Sequence, residues 1–325
     1  MVNVLITGIT GFIGSHLAAA LVERGFRVYG TMRHCAARDL RPISEILDDI
    51  VLLTADVTNY RSLSVALETS DPDIVCHLAA LTPVRYSFEH PLQYEQTNFL
   101  GTMNIVHAMM ELPDFKKRSL IAASTAEVYG VQPKERPLSE DLPLHPSSPY
   151  AVSKAAADMY LRMASEVYDV QCIILRPSNT YGRRFETGFI IEYLIKSMLE
   201  NKKVYVGAPN SVRDYIHVQD HVAAYLLAVE HRLREGEVYN VGSGAGIRNK
   251  ELAYKVARLT GYDESRISLG QYPPGYPIRP LISDQPYLVL NSRKIRERGW
   301  KPKWSLSYGL RQAIDYWRQG TKTYG

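Results

Sequence analysis

Short apolar runs alternate with amphipathic stretches over residues 1–175. Residues 2–7, 26–31, 50–53, 74–78, 119–123 and 172–175 are apolar or β-branched runs of strand length. Between them, residues 15–24 place Leu17, Ala18, Leu21 and Val22 at helical spacing before Gly25 stops the pattern, and residues 98–110 and 151–167 also read as helices. Strands apolar throughout, separated by helices, predict an α/β fold: a Rossmann-type, doubly wound parallel sheet covered on both faces. After Pro177 the alternation breaks down. Helices are predicted at 189–200, 222–230 and 306–318 and strands at 211–218 and 239–242, while 264–290 is rich in Pro, Tyr and Gly. The expected organisation is one domain over 1–177, with segments near 212–243 returning to it, and a smaller C-terminal α/β lobe over 178–325.

Composition narrows this only a little. A net charge of +4, with no long basic run, gives no reason to expect nucleic acid. No apolar stretch approaches the ~20 residues that span a bilayer, so no membrane partner is expected and a cytoplasmic location is the simplest one. Cys35, Cys76 and Cys172 have neither disulfide-framework nor zinc spacing. Cys76 and Cys172 lie in apolar runs and are expected to be small buried hydrophobes. No metal is predicted. Tyrosine is abundant, at 22 residues.

The first strand runs into Gly8-Ile9-Thr10-Gly11-Phe12-Ile13-Gly14 and then a helix. A strand, three glycines and a helix start form a cradle for a dinucleotide pyrophosphate. Dinucleotide binding is therefore assigned to Gly8, Gly11, Phe12, Ile13 and Gly14. Where an NAD-selective site carries a carboxylate at the end of its second strand, this chain has Met32-Arg33-His34; Arg33 suits a 2′-phosphate, so NADP is preferred and NAD is the alternative. Asp56 and Val57 are placed to cap the adenine edge. Leu78, Ala79 and Ala80 let a strand end approach the cofactor.

A second constellation follows the fifth strand. Ser124-Thr125-Ala126-Glu127 brings hydroxyls and a carboxylate to its end, and Tyr150 and Lys154 stand four apart on a helix, on one face.

These residues resemble the extended short-chain dehydrogenase/reductases that act on nucleotide sugars. The pieces are Gly8-x-x-Gly11-x-x-Gly14, Asp56-Val57, His77-Leu78-Ala79-Ala80, Asn98 with Gly101-Thr102, Ser124-Thr125, Tyr150-x-x-x-Lys154, Arg213-Asp214 and Arg279-Pro280. Thr125-Ala126-Glu127 looks like the hexose 4,6-dehydratase pattern. Gly30-x-x-Arg33 and 87–91 are similar to GDP-mannose 4,6-dehydratases, whereas 213–221 resembles the dTDP-glucose enzymes about as well. The resemblance implies a 4,6-dehydratase acting on a nucleotide-diphosphate hexose, with a GDP-mannose-like substrate favoured. It assigns catalysis to Thr125, Glu127, Tyr150 and Lys154, with Tyr150 and Lys154 also touching the cofactor. Ser124, Asn179, Arg184, Arg213 and Arg279 are expected to bind the nucleotide sugar. It further implies a homodimer through the helices near 98–111 and 151–167.

Chemically, Tyr150 is the base for the sugar C4 hydroxyl, provided Lys154 lowers its pKa. Thr125 holds that oxygen, and Glu127 removes the C5 proton and helps expel the C6 hydroxyl. One departure stands out: related dehydratases carry Asp or Ser where this chain has Ala126. A 4-epimerase is the alternative, a UDP-glucuronate decarboxylase is a more distant one, and a non-catalytic regulator would be expected to have lost the Thr, Tyr and Lys set.

Overall fold

The computed structural model describes all residues except 35–38, 133–134, 274, 276–279, 281–282 and 323–325. Its centre is a seven-stranded sheet in the order β10-β6-β5-β4-β1-β2-β3, every pair parallel. The strands are β1 (Asn3–Thr7), β2 (Arg27–Met32), β3 (Ile50–Thr54), β4 (Ile74–His77), β5 (Ser119–Ala123), β6 (Gln171–Pro177) and, later in the chain, β10 (Val238–Val241). Side chains of one strand point alternately to opposite faces, so both faces of a covered sheet must be apolar. Val4 and Ile6 enter one core with α1 (Phe12–Glu23) and α8 (Val218–Val229). Leu5 enters the other, with α2 (Tyr60–Ser70), α5 (Gly101–Met110) and α6 (Pro149–Tyr168). Leu120 and Ala122 against Ile121, and Cys172 and Ile174 against Ile173 and Leu175, repeat the division. Burial of each such Leu or Ile stabilises by roughly 1.5–3 kcal/mol. Cys76 and Cys172 are free and buried in these cores.

The chain reaches α5 by way of two short helices, α3 (Val84–Ser87) and α4 (Pro91–Tyr94), and a widened π turn, Glu95–Leu100, that holds Asn98. The predicted helix at 98–110 therefore starts earlier and is not uniformly α.

The second layer lies beside the carboxyl ends of the strands. In it β7 (Asn179–Tyr181), β9 (Val212–His217), β11 (Gly246–Arg248) and β13 (Tyr287–Leu288) form one small sheet, and β8 (Val204–Val206) pairs with β12 (Ile267–Leu269). Helices α7 (Ile190–Leu199), α9 (Asn249–Thr260) and α11 (Leu306–Lys322) pack on them around Leu194, Ile195, Leu252, Val256, Leu310 and Ile314. A short helix, α10 (Arg293–Glu297), follows β13 in the chain. Within 212–243, α8 and β10 lie in the first layer and β9 joins the second sheet. Among the described residues no helix is long and apolar enough to cross a membrane.

Candidate active site

Three adjoining cavities of about 470, 370 and 320 Å³ form one groove across the carboxyl ends of the strands, sharing lining residues at each junction. Ligands of open α/β sheets bind there.

The glycine turn sits where the first two cavities meet. Gly8 has φ +73°, and a Cβ on it would lie 2.9 Å from the Cα of Ala79. A Cβ on Gly14 would lie 2.4 Å from the carbonyl oxygen of Gly8. Only glycine fits either place, so backbone rather than side chain faces the groove. The register of Ala79 is held from behind. Thr7 Oγ1 accepts from the amides of Leu78 and Ala79, both at 3.1 Å, and donates to His77 Nδ1 at 2.8 Å. The Nε2 of His77 then donates to Thr102 Oγ1 at 3.2 Å, and Thr102 donates to the carbonyl of Asn98 at 2.6 Å. His77 is thus a satisfied structural histidine.

Burial lowers the pKa of His77 to about 3, with Lys154 adding to the shift, and burial likewise lowers that of His221 to about 3, helped by Arg183. A histidine whose folded pKa lies below its unfolded value of ~6.5 gives stability that is fully present above pH ~6.5 and is lost as pH falls towards the folded pKa. Thermal melts are therefore expected to drop steadily between about pH 6.5 and pH 4. Replacing His77 with Asn should flatten that slope, measured by circular dichroism. An unchanged slope would show that His77 does not control it.

At the end of the groove beside β2, exposed Arg33 lines the cavity with Thr31, Met32, Asp56, Val57, Leu78, Ala79 and Ala80. The Oδ1 of Asp56 accepts from the amide and hydroxyl of Thr58, at 2.9 and 2.8 Å, which folds that loop over the edge of the groove.

The middle cavity is lined by Ser124, Thr125, Glu127, Tyr150 and Lys154 together with Gly11 to Gly14. Helix α6 starts at Pro149, and Ser148 caps it by accepting from the amide of Ala151 at 3.1 Å. That start fixes Tyr150 and Lys154 on the groove side, both buried. The phenol of Tyr150 is raised above its ordinary value: burial outweighs a hydrogen bond to Thr125 that lowers it, and Glu127 and Tyr94 add to the rise. The expected lowering by Lys154 is therefore not what the protein alone produces. Lys154 is itself pushed down to about 8 by burial, against Asp158, which raises it. Its charge persists at neutral pH but is held in a desolvated place.

Thr125 caps a single helical turn, Ala126–Tyr129, with Oγ1 accepting from the amide of Glu127 at 3.2 Å. The turn divides its side chains. Glu127 is buried yet lines both the middle and the outer cavity. Ala126, 1% exposed, packs away from the groove with Val128, Tyr129, Leu138, Ala155, Leu288 and Leu290.

The outer cavity holds Asn179, Arg213, Tyr193, Tyr205, Tyr215, Tyr272 and Asp284. The guanidinium of Arg213 donates to Asp284 at 2.5 Å, and Asn179 donates to the carbonyl of Asp214 at 3.3 Å. Asp214 is structural: its carboxylate accepts from the amides of Ser243, Gly244 and Leu290.

Ser124 lines the middle cavity, whereas Arg184 lines none of the three. The hydroxyl of Ser124 donates inward to Asp158 at 2.7 Å, because Asp158 is buried and draws donors from every side. Arg184 is exposed in a separate cleft against α1, beside His16 and Phe185, while its neighbour Arg183 turns inward, 3.5 Å over the ring of Phe189. Arg279 lies outside the described residues. The sequence reading missed Arg85 and the four tyrosines in the lining of the outer cavity, and Gln285, which donates to Glu127; the high tyrosine content was the one visible trace of the tyrosines. Among the described residues no group of His, Cys, Asp and Glu is arranged to hold a metal ion.

Fold and groove together define a nucleotide-sugar enzyme of the short-chain dehydrogenase/reductase type. The GDP-mannose 4,6-dehydratase family profile matches residues 5–313, and the chain belongs to that family. The dTDP-D-glucose 4,6-dehydratase of Homo sapiens is 30% identical, the match covering 98% of this chain and 90% of that one. The structure of UDP-glucose 4-epimerase from Thermotoga maritima with UDP-glucose superposes with a TM-score of 0.87 at 28% identity, covering 98% of this chain and 99% of the other. That of dTDP-glucose 4,6-dehydratase from Bacillus anthracis with NAD gives 0.86 at 26%, covering 99% and 98%. Dehydratases and 4-epimerases of nucleotide sugars thus both stand among its relatives.

Proposed function

We propose that this protein is a nucleotide-diphosphate-hexose 4,6-dehydratase, with a GDP-mannose-like substrate favoured. The observation that carries the reading is Glu127, a buried carboxylate at the junction of the middle and outer cavities, two residues from Thr125 and on the same groove as Tyr150.

The residues fit a dinucleotide, since Gly8 and Gly14 have no room for a Cβ against Ala79 and the Gly8 carbonyl, and the turn therefore presents backbone to the cavity. Gly8, Gly11 to Gly14, Asp56, Val57 and 78–80 would hold it, with Tyr150 and Lys154 at its reactive end. Arg33, and the lack of a carboxylate beside it, favours NADP over NAD. When bound, the dinucleotide supplies the hydride acceptor for C4 and the hydride donor for C6.

Tyr150 takes the C4 hydroxyl proton while Thr125 keeps that oxygen in line. Burial holds the Tyr150 phenol high in the protein alone, so the phenolate would form only with dinucleotide and sugar bound, beside the charge of Lys154. With C4 a ketone, Glu127 removes the now acidic C5 proton, the C5–H electrons form a C5–C6 double bond, and the C6 hydroxyl leaves with that proton as water. C5 regains a proton from solvent, so the product is a 4-keto-6-deoxy sugar with no net redox change. Arg213, held by Asp284, and Asn179 serve the nucleotide and sugar in the outer cavity.

The test is incubation with GDP-mannose, dTDP-glucose and UDP-glucose in heavy water. One of them should lose one water and gain deuterium at C5. A C4 epimer with the C6 oxygen intact would instead establish the 4-epimerase reading, which Ala126 favours because no second acid stands beside Glu127. Tightening of the dinucleotide by its 2′-phosphate, measured by calorimetry, separates NADP from NAD.

The reading includes a homodimer. Val152, Met159 and Val167 are exposed along one stripe of α6, and Leu92 and Leu100 are exposed on the neighbouring helical stretch, an apolar surface suited to a second copy. Light scattering should give twice the chain mass; a monomer at micromolar concentration would count against it.

A further inference from the structure

We infer that Gln285 is a positioning residue for Glu127, a role that rests on the acid–base reading of Glu127. Gln285 is fully buried although it lies in the irregular stretch between Arg213's partner Asp284 and β13. Its Nε2 donates to the carboxylate Oε2 of Glu127 at 3.1 Å and to the backbone carbonyl of the same residue at 3.2 Å. One amide therefore bridges the main chain and the head of a single flexible side chain, and restricts the torsions between them. Nothing in the fold of the turn requires this: Thr125 already caps it, and Ala126, Val128 and Tyr129 already anchor it.

The other end of the amide is informative. The Oε1 of Gln285 is buried and has no hydrogen-bond partner among the described residues. A buried unpartnered acceptor is normally removed by an apolar side chain of the same shape. At a carboxylate that alternates between proton-free and protonated states the amide suits both. Its N–H donates to the carboxylate, and after rotation its oxygen accepts from the carboxylic acid that exists while the C5 proton is in transit to the leaving hydroxyl.

The neighbouring residues extend this role. Asp284 grips Arg213, the carbonyl of Pro286 accepts from the amide of Val212 at 2.8 Å, and the carbonyl of Ser283 accepts from Ser147 beside the cap of α6 at 3.1 Å. The stretch holding Glu127 is thus fixed to the nucleotide end of the groove and to the helix of Tyr150.

The test compares wild type, Gln285→Met, Gln285→Glu and Glu127→Gln, each as the full chain loaded with its dinucleotide, on the sugar that wild type turns over. Gln285→Met keeps the length and removes the donor. It should lower kcat by about 10²-fold, leave KM unchanged, and let reduced dinucleotide accumulate in its near-ultraviolet absorbance, because C4 oxidation continues while elimination slows. Gln285→Glu puts a like charge on Glu127 and should be slower still at neutral pH; it carries the same readout should Gln285→Met not fold. A kcat close to wild type, or a fall in kcat without accumulation, overturns the positioning role. Full turnover in Glu127→Gln would instead remove the reading on which it rests, whatever the Gln285 variants do.

Discussion

Glu127→Gln is expected to lower kcat by about 10²–10⁴-fold with little change in KM. Gln has the shape of Glu, and Gln285 can still donate to its side-chain oxygen, so the turn from Ala126 to Tyr129 should keep its form. On the proposed reading, binding uses Arg213, Asn179 and the glycine turn, and oxidation at C4 uses Tyr150 and Thr125, none of which changes. That reading loses only the group proposed to carry the C5 proton to the departing hydroxyl, so the sugar should be oxidised and turnover then stall. Single-turnover absorbance, read beside release of the dehydrated product, checks this. If product forms at the wild-type rate, Glu127 is not the acid–base group.

Asp158→Asn is expected to destabilise the fold by about 3–5 kcal/mol, the usual effect of removing one member of a buried ion pair. Asp158 and Arg176 are 0% and 1% exposed at the side chain and meet through two hydrogen bonds of 2.7 and 2.8 Å. The carboxylate also accepts from Ser124, and Arg176 donates to the hydroxyl of Tyr129 at 2.9 Å. Tyr129 in turn donates to Asn240 on the sheet edge at 2.7 Å. Losing the charge at 158 leaves the guanidinium of Arg176, on β6, buried without its counter-ion. It also removes the carboxylate that raises the pKa of Lys154. Urea unfolding at neutral pH measures the loss. Asp158→Leu with Arg176→Met should recover most of it, since two apolar groups leave no charge buried. A midpoint equal to wild type in Asp158→Asn would mean that the pair contributes nothing net.

What could be read from sequence divides along a physical line. The seven-strand layer was legible because strands buried on both faces must be apolar throughout, and the glycine turn because only glycine permits its backbone. The set of Thr125, Tyr150 and Lys154 was legible because helical spacing and strand ends are local properties. The small strands of the second layer were not: β7, β8, β11, β12 and β13 have two or three residues each, too few for a period to show. Helix α9 went unassigned although Glu251 at its third position and Gly261 at its end are flank signals that the sequence displays. Ser124 illustrates a different limit. Its position follows from the strand, but the direction of its hydroxyl depends on Asp158, thirty-four residues on. Gln285 contacts Glu127 across 158 positions, and no short-range pattern marks that meeting. The departure at Ala126 has a packing reason: its side chain belongs to an apolar cluster at the back of the turn.

The return of α8 and β10 to the first layer has a consequence for engineering by recombination. A chimera made with a single crossover after Pro177, exchanging everything downstream with a relative, would also exchange the outermost strand of the central sheet and the helix that covers α1. The foreign strand would have to match the hydrogen-bonding edge from Ile174 to Pro177, and the foreign helix the surface left by Leu17 and Leu21. Grafting a new sugar specificity onto this dinucleotide scaffold therefore calls for a split exchange. Residues 178–217 and 242–322 would be swapped, and the span from Val218 to Val241 kept native.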